Sequence, residues 1–74
     1  MVLYGMFLEL HDFYTGAPIL LRADMITKVI VMADKLEEIT NIGYAGRDDY
    51  FLVEEDYETV RGLLGLVYGK KPKD

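Results

Sequence analysis

Hydrophobic and polar positions alternate at the start of the chain. In Met6-Phe7-Leu8-Glu9-Leu10-His11, the side chains of Met6, Leu8 and Leu10 fall on one face and those of Phe7, Glu9 and His11 on the other. Period two predicts a strand. Asp12–Pro18 reads as a turn, with Gly16 able to supply a positive φ and Pro18 suited to the first residue of the next strand. Ile19–Ala23 is that strand, and the two form a hairpin.

The next segment is ambiguous by pattern. Ile26, Val29, Ile30 and Ala33 stand at helical spacing, and Asp24 is a possible cap. Thr27, Val29, Ile30 and Val31 are β-branched, which favours a strand. The reading adopted is a short helical turn at 24–26 and a strand over 27–32; a helix within 24–38 is the alternative. Ala33–Glu38 is polar and predicts a connection. Ile39–Tyr44 and Tyr50–Glu54 read as strands around a turn at 45–49, where Gly46 is the hinge.

The last element is an amphipathic helix. Tyr57, Val60, Leu63, Leu64 and Val67 make one apolar stripe, with Asp56 as N-cap, Glu58 in the first turn and Gly69 as C-cap. A charge in this stripe, as in Leu64→Asp, is expected to unfold the protein. The pattern therefore predicts an α+β fold: a small antiparallel sheet or partial barrel of about five strands with one C-terminal helix. It forms a single domain over residues 1–69, and 70–74 are a basic tail expected to be disordered.

The strands carry more apolar residues than one helix can cover. Phe7, Leu20 and Ile30 fall out of phase with the expected core set Leu8, Leu10, Ile19, Leu21, Val29 and Val31. Either the sheet curls or a second face meets another chain. Gly62 and Gly65 lie opposite the helix stripe, where missing side chains permit close approach of another backbone; a weak helix end explains them as well. Tyr44 is one of six tyrosines, a residue enriched at interfaces and equally at home in strands. Phe7, Leu20, Ile30, Tyr44, Gly62 and Gly65 are thus the candidate interface residues.

Composition narrows the function. The chain has 74 residues, 51% of them hydrophobic, and no cysteine, so disulfides and thiolate–zinc sites are excluded. A core this small leans on a partner copy more often than a large one does. Net charge is −5, and residues 1–69 hold five basic residues against twelve acidic ones. That balance argues against gripping a phosphate backbone. There is no phosphate loop, no GxGxxG motif and no run of about 20 apolar residues for a membrane span. The apolar N-terminus lacks the positive flank and cleavage site of a signal peptide, so the expected location is cytoplasmic.

Candidate chemistry is sparse. His11 is the one histidine and adjoins Asp12, a pair that in the right geometry could perform base catalysis. Neighbours on a strand face opposite ways, however, and an exposed turn histidine is the ordinary reading. The chain has no serine, so neither a serine nor a cysteine nucleophile exists. Asp48, Asp49, Glu54, Glu55, Asp56 and Glu58 form an acidic run with oxygen ligands for calcium or magnesium, but a hairpin turn and a helix start already account for them. No catalytic residue, metal ligand or cofactor is assigned.

Three segments carry a resemblance: Leu8-Glu9-Leu10, then Gly16-Ala17-Pro18-Ile19-Leu20-Leu21-Arg22-Ala23-Asp24-Met25-Ile26, then Tyr50-Phe51-Leu52-Val53-Glu54-Glu55 leading into Tyr57-Glu58-Thr59-Val60. Over residues 6–64 the chain resembles the small flagellar FlbD-like proteins and similar short proteins of bacteria and phages. It departs from them by a longer connection near 33–38 and by Asp56-Tyr57 where the family often has serine and a small residue. The resemblance implies a bacterial or phage protein with no established active site. The function expected is a non-enzymatic, self-associating protein–protein interaction module. The alternatives are a nucleic-acid-linked regulator acting with a partner and a minor metal-binding protein.

Overall fold

The computed structural model describes residues 2–4, 6–34 and 37–68. Six antiparallel strands form two three-stranded sheets: β1 (Val2–Tyr4), β2 (Phe7–His11) and β3 (Pro18–Arg22) in one, and β4 (Ile26–Asp34), β5 (Glu37–Tyr44) and β6 (Tyr50–Val53) in the other. A single helix, α1 (Tyr57–Tyr68), follows. The fold is α+β, with no closed barrel. Gly69 and the basic tail lie outside the described residues.

The two expected hairpins, β2–β3 and β5–β6, form where the pattern places them. Gly16 and Gly46 both adopt positive φ, at +76° and +84°, as those turns require. In the first turn Asp12 accepts hydrogen bonds from the backbone N–H groups of Tyr14 and Thr15 and from the Thr15 hydroxyl, at 2.9–3.1 Å. These bonds hold its carboxyl below the ordinary range, against a smaller opposing effect of desolvation.

Between the sheets the chain turns through a 3-10 helix at Ala23–Met25. The segment after it is a strand, so β-branching outweighs helical spacing here. Asp24 does not cap a helix; it pairs with Arg22 at 2.8 Å. The expected connection at 33–38 is a correction. Ala33 pairs with Glu38 and Asp34 with Glu37, so β4 and β5 run on through it. Ladder hydrogen bonds outweigh the local polarity of those side chains. Lys35 and Leu36 lie outside the described residues. Val2–Tyr4, to which the pattern assigns no element, pairs with β2.

The sheets curl toward each other and join at one end. Asp12 bridges Val53, the Phe13 N–H donates to the Leu52 carbonyl, and the Glu54 N–H donates to the His11 carbonyl, both at 2.8 Å. The core lies inside this half-barrel: Leu8, Leu10 and Leu21 from one sheet, Ala23 from the 3-10 helix, Ile42 and Val53 from the other sheet, and Val60 and Leu63 from α1. Asp56 caps α1, accepting from the Thr59 N–H at 2.8 Å, and the bonds to Thr59 lower its pKa. Leu64 and Val67 pack only at the core margin. The deepest positions of the stripe are thus Val60 and Leu63, and the Leu64 chosen for the charge substitution is shallower.

One member of the expected core is displaced: Val31 is 40% exposed. Met6, assigned to the same face as Leu8 and Leu10, precedes β2 and is exposed as well. The pairing Val31↔Thr40, two residues from Val29↔Ile42, puts Val31 on the inward face. Its part of that face opens into a surface groove that also reaches Tyr57 and Glu58 at the start of α1.

Candidate functional site

The one histidine has a partner, but not the one adjacent in sequence. His11 ends β2, and Glu55 stands between β6 and α1. The ring Nδ1 lies 2.8 Å from Glu55 Oε2, and the His11 backbone N–H donates to Oε1 at 3.0 Å. The Glu55 side chain is only 10% exposed. Burial alone would raise its pKa. The hydrogen bonds from the His11 ring and backbone act the other way and prevail, leaving the carboxyl below its ordinary value. Asp12 takes no part, being committed to its own turn. The expectation of an ordinary exposed turn histidine is replaced by an anchored, partly buried one.

This couple ties the end of the first sheet to the start of the helix. A carboxylate-oriented imidazole is a recurring catalytic part. The grooves lined by Lys28, by Val31 and by Gly62 do not include His11.

The acidic run is dispersed by the fold. Asp49 pairs with Arg47 at 3.0 Å, Glu55 with His11, and Glu58 with Arg61 at 3.6 Å, while Asp56 caps the helix. Among the described residues no group of three or more acidic or histidine side chains is arranged to hold a metal ion. Glu38, Glu54, Asp56 and Glu58 do rim the groove floored by Val31 and Thr40, of about 440 Å³.

The cations show a contrast. Arg22, Arg47 and Arg61 each have an acidic partner; Arg47 also lies 4.3 Å above the Phe51 ring. Lys28 is the one cation without an ion pair among the described residues. It lines a second groove, of about 300 Å³, between Ile26–Val29 of β4 and the Tyr57, Arg61 and Leu64 side of α1. No carboxylate lines this groove.

The expected interface residues fall into separate places. Phe7 and Leu20 are exposed on the outer face of the first sheet, with Leu20 54% accessible. Ile30 is half-buried on β4. Tyr44 is engaged within the chain: its ring packs edge-on against Phe51 at 5.6 Å and its hydroxyl accepts from the Arg22 N–H. Gly62 and Gly65 line a shallow groove on the outer side of α1, and a Cβ at either would meet nothing within 4 Å.

Sequence reasoning points to exposed strand edges as contact surfaces without saying which; the fold singles out β4. Sheet order leaves β4 outermost in its sheet, and among the described residues no backbone hydrogen bond reaches its outer side. The other edges differ: β1 is only three residues long. β6 is engaged by β2 at its end, and β3 begins with Pro18 and gives the Arg22 N–H to Tyr44. The signal was present in the sequence as Val29-Ile30-Val31-Met32-Ala33, five apolar residues without a charge or a proline. No helix among the described residues is long and apolar enough to cross a membrane.

No protein-family model, curated protein or solved structure matches this chain. The likeness to FlbD-like proteins therefore rests on the residues quoted for it.

Proposed function

We propose that this chain is a non-enzymatic protein–protein interaction module that associates with itself. The observation supporting this reading is the unpaired edge of β4, where Lys28 and Asp34 flank an apolar run, Val29–Ala33, that has no charge or proline of its own. Natural edge strands are kept short or guarded by charge, proline or a bulge. This one is nine residues long, where a typical strand has about 5–6. Its one bulge lies at the start, between Ile26 and Lys28. Beyond it Val31 and Met32 are 40% and 53% exposed. Such an edge exposes unpaired N–H and C=O groups beside apolar side chains, and strand addition satisfies both.

Sedimentation equilibrium of the full chain tests this reading. A mass above that of one 8.5 kDa chain, rising with concentration, supports it. A single-chain mass up to millimolar concentration overturns it.

A further inference from the structure

Resting on that self-association, the charge pattern of β4 assigns a specific register, and we propose that two copies pair β4 against β4, antiparallel, about a two-fold axis through Val31. An isologous contact must be self-complementary, and this strand is. Centred on Val31, the pairing sets Lys28 opposite Asp34 of the second copy and Asp34 opposite its Lys28. Ile30 then faces Met32 of the second copy, and Val29 faces Ala33. Shifting the centre to Ile30 or Met32 loses both charge pairs. Opposite charges and apolar pairs directly across a ladder are each favourable, whereas like charges are not.

Three further features agree with this register. Lys28 lacks an acidic partner within its own described chain. The groove it lines runs beside the first half of β4, where the end of the incoming strand would arrive. In sequence that end, residues 34–38, is net acidic, with Asp34, Glu37 and Glu38 against the single cation Lys35. The groove supplies a second cation, Arg61, held to Glu58 only at 3.6 Å. The product is a continuous six-stranded sheet, β6-β5-β4-β4-β5-β6, in which the two edges cover each other.

Charge reversal tests the register. Lys28→Asp and Asp34→Lys are each expected to weaken dimerisation about tenfold at low salt, and the double variant to restore it to within about threefold of the native chain. Single variants without effect, or a double variant as weak as either single one, overturn the register.

A second measurement is indifferent to altered charge. The native chain has no cysteine, so Val31→Cys introduces one thiol, placed on the axis. Facing residues of an antiparallel pair have Cα atoms about 4.5–5.5 Å apart, within disulfide range. Mild oxidation should convert Val31→Cys to covalent dimer at least about tenfold faster than Leu20→Cys, an exposed control on the other sheet. Equal rates overturn the proposal. If the native chain dimerises while both tests fail, only the register is lost; if it stays monomeric, the self-association reading falls with it.

Discussion

His11 and Glu55 are 44 positions apart in sequence and hydrogen-bonded in the fold. A hydrogen bond to a charged group is worth about 1.5–3 kcal/mol when its partner is shielded from water. Glu55→Ala is expected to lower stability by about 1–3 kcal/mol, measured by urea denaturation. The pH dependence has a definite sign. Because the folded pKa of Glu55 lies below its ordinary value of 4.5, its contribution is complete above that pH. It is lost as the pH falls through the lower folded value. Glu55→Gln should therefore flatten the acid limb of the stability curve without abolishing it, since Asp12 and Asp56 are lowered in the same direction. An unchanged acid limb would show that the couple contributes nothing to folding. Asp12 was legible as a turn residue from its neighbours. Glu55 was not legible as a partner, because nothing local distinguishes it from Glu54.

Among the elements, α1 was the most legible, since a cap and a periodic stripe are both local signals. Its depth profile was not local. Val60 is fully buried and Leu64 is marginal, because the crossing of the helix over the half-barrel decides which turn is deepest. Val60→Asp should accordingly abolish cooperative thermal unfolding, while Leu64→Asp leaves a folded but less stable protein; circular dichroism melts separate the two. Leu63→Ala should cost about 2–5 kcal/mol. At the β4 bulge Gly43 lies beneath two side chains, and a Cβ there would come within 2.9 Å of Lys28 Cγ and Thr27 Oγ1. Gly43→Ala is expected to cost about 1–3 kcal/mol, since both neighbours must shift, whereas Gly62→Ala in open space should stabilise the helix by up to about 1 kcal/mol. Equal effects at the two glycines would contradict the packing described for β4 and β5.

At the scale of the whole molecule, two sheets share one small core with the helix and leave the outer edge of β4 unpaired. If a second copy binds only the folded chain, stability becomes linked to concentration. The melting temperature should rise as protein concentration is increased from micromolar to millimolar, and Val31→Lys, which puts a charge at the proposed axis, should remove that rise. A concentration-independent melting temperature in the native chain would leave the edge of β4 without a partner of its own kind.

The sequence by itself determined the class of fold, the places of the helix and of the β2–β3 and β5–β6 hairpins, and the absence of serine and cysteine nucleophiles. Periodicity, turn residues and caps act within a few positions of one another, so one chain read in order displays them. Tertiary structure alone decided that the strands divide into two sheets, that His11 meets Glu55, and that Val31 stands at an open margin. Each of these depends on which strand lies beside which, and that is set by closure of the core over distances no local pattern spans.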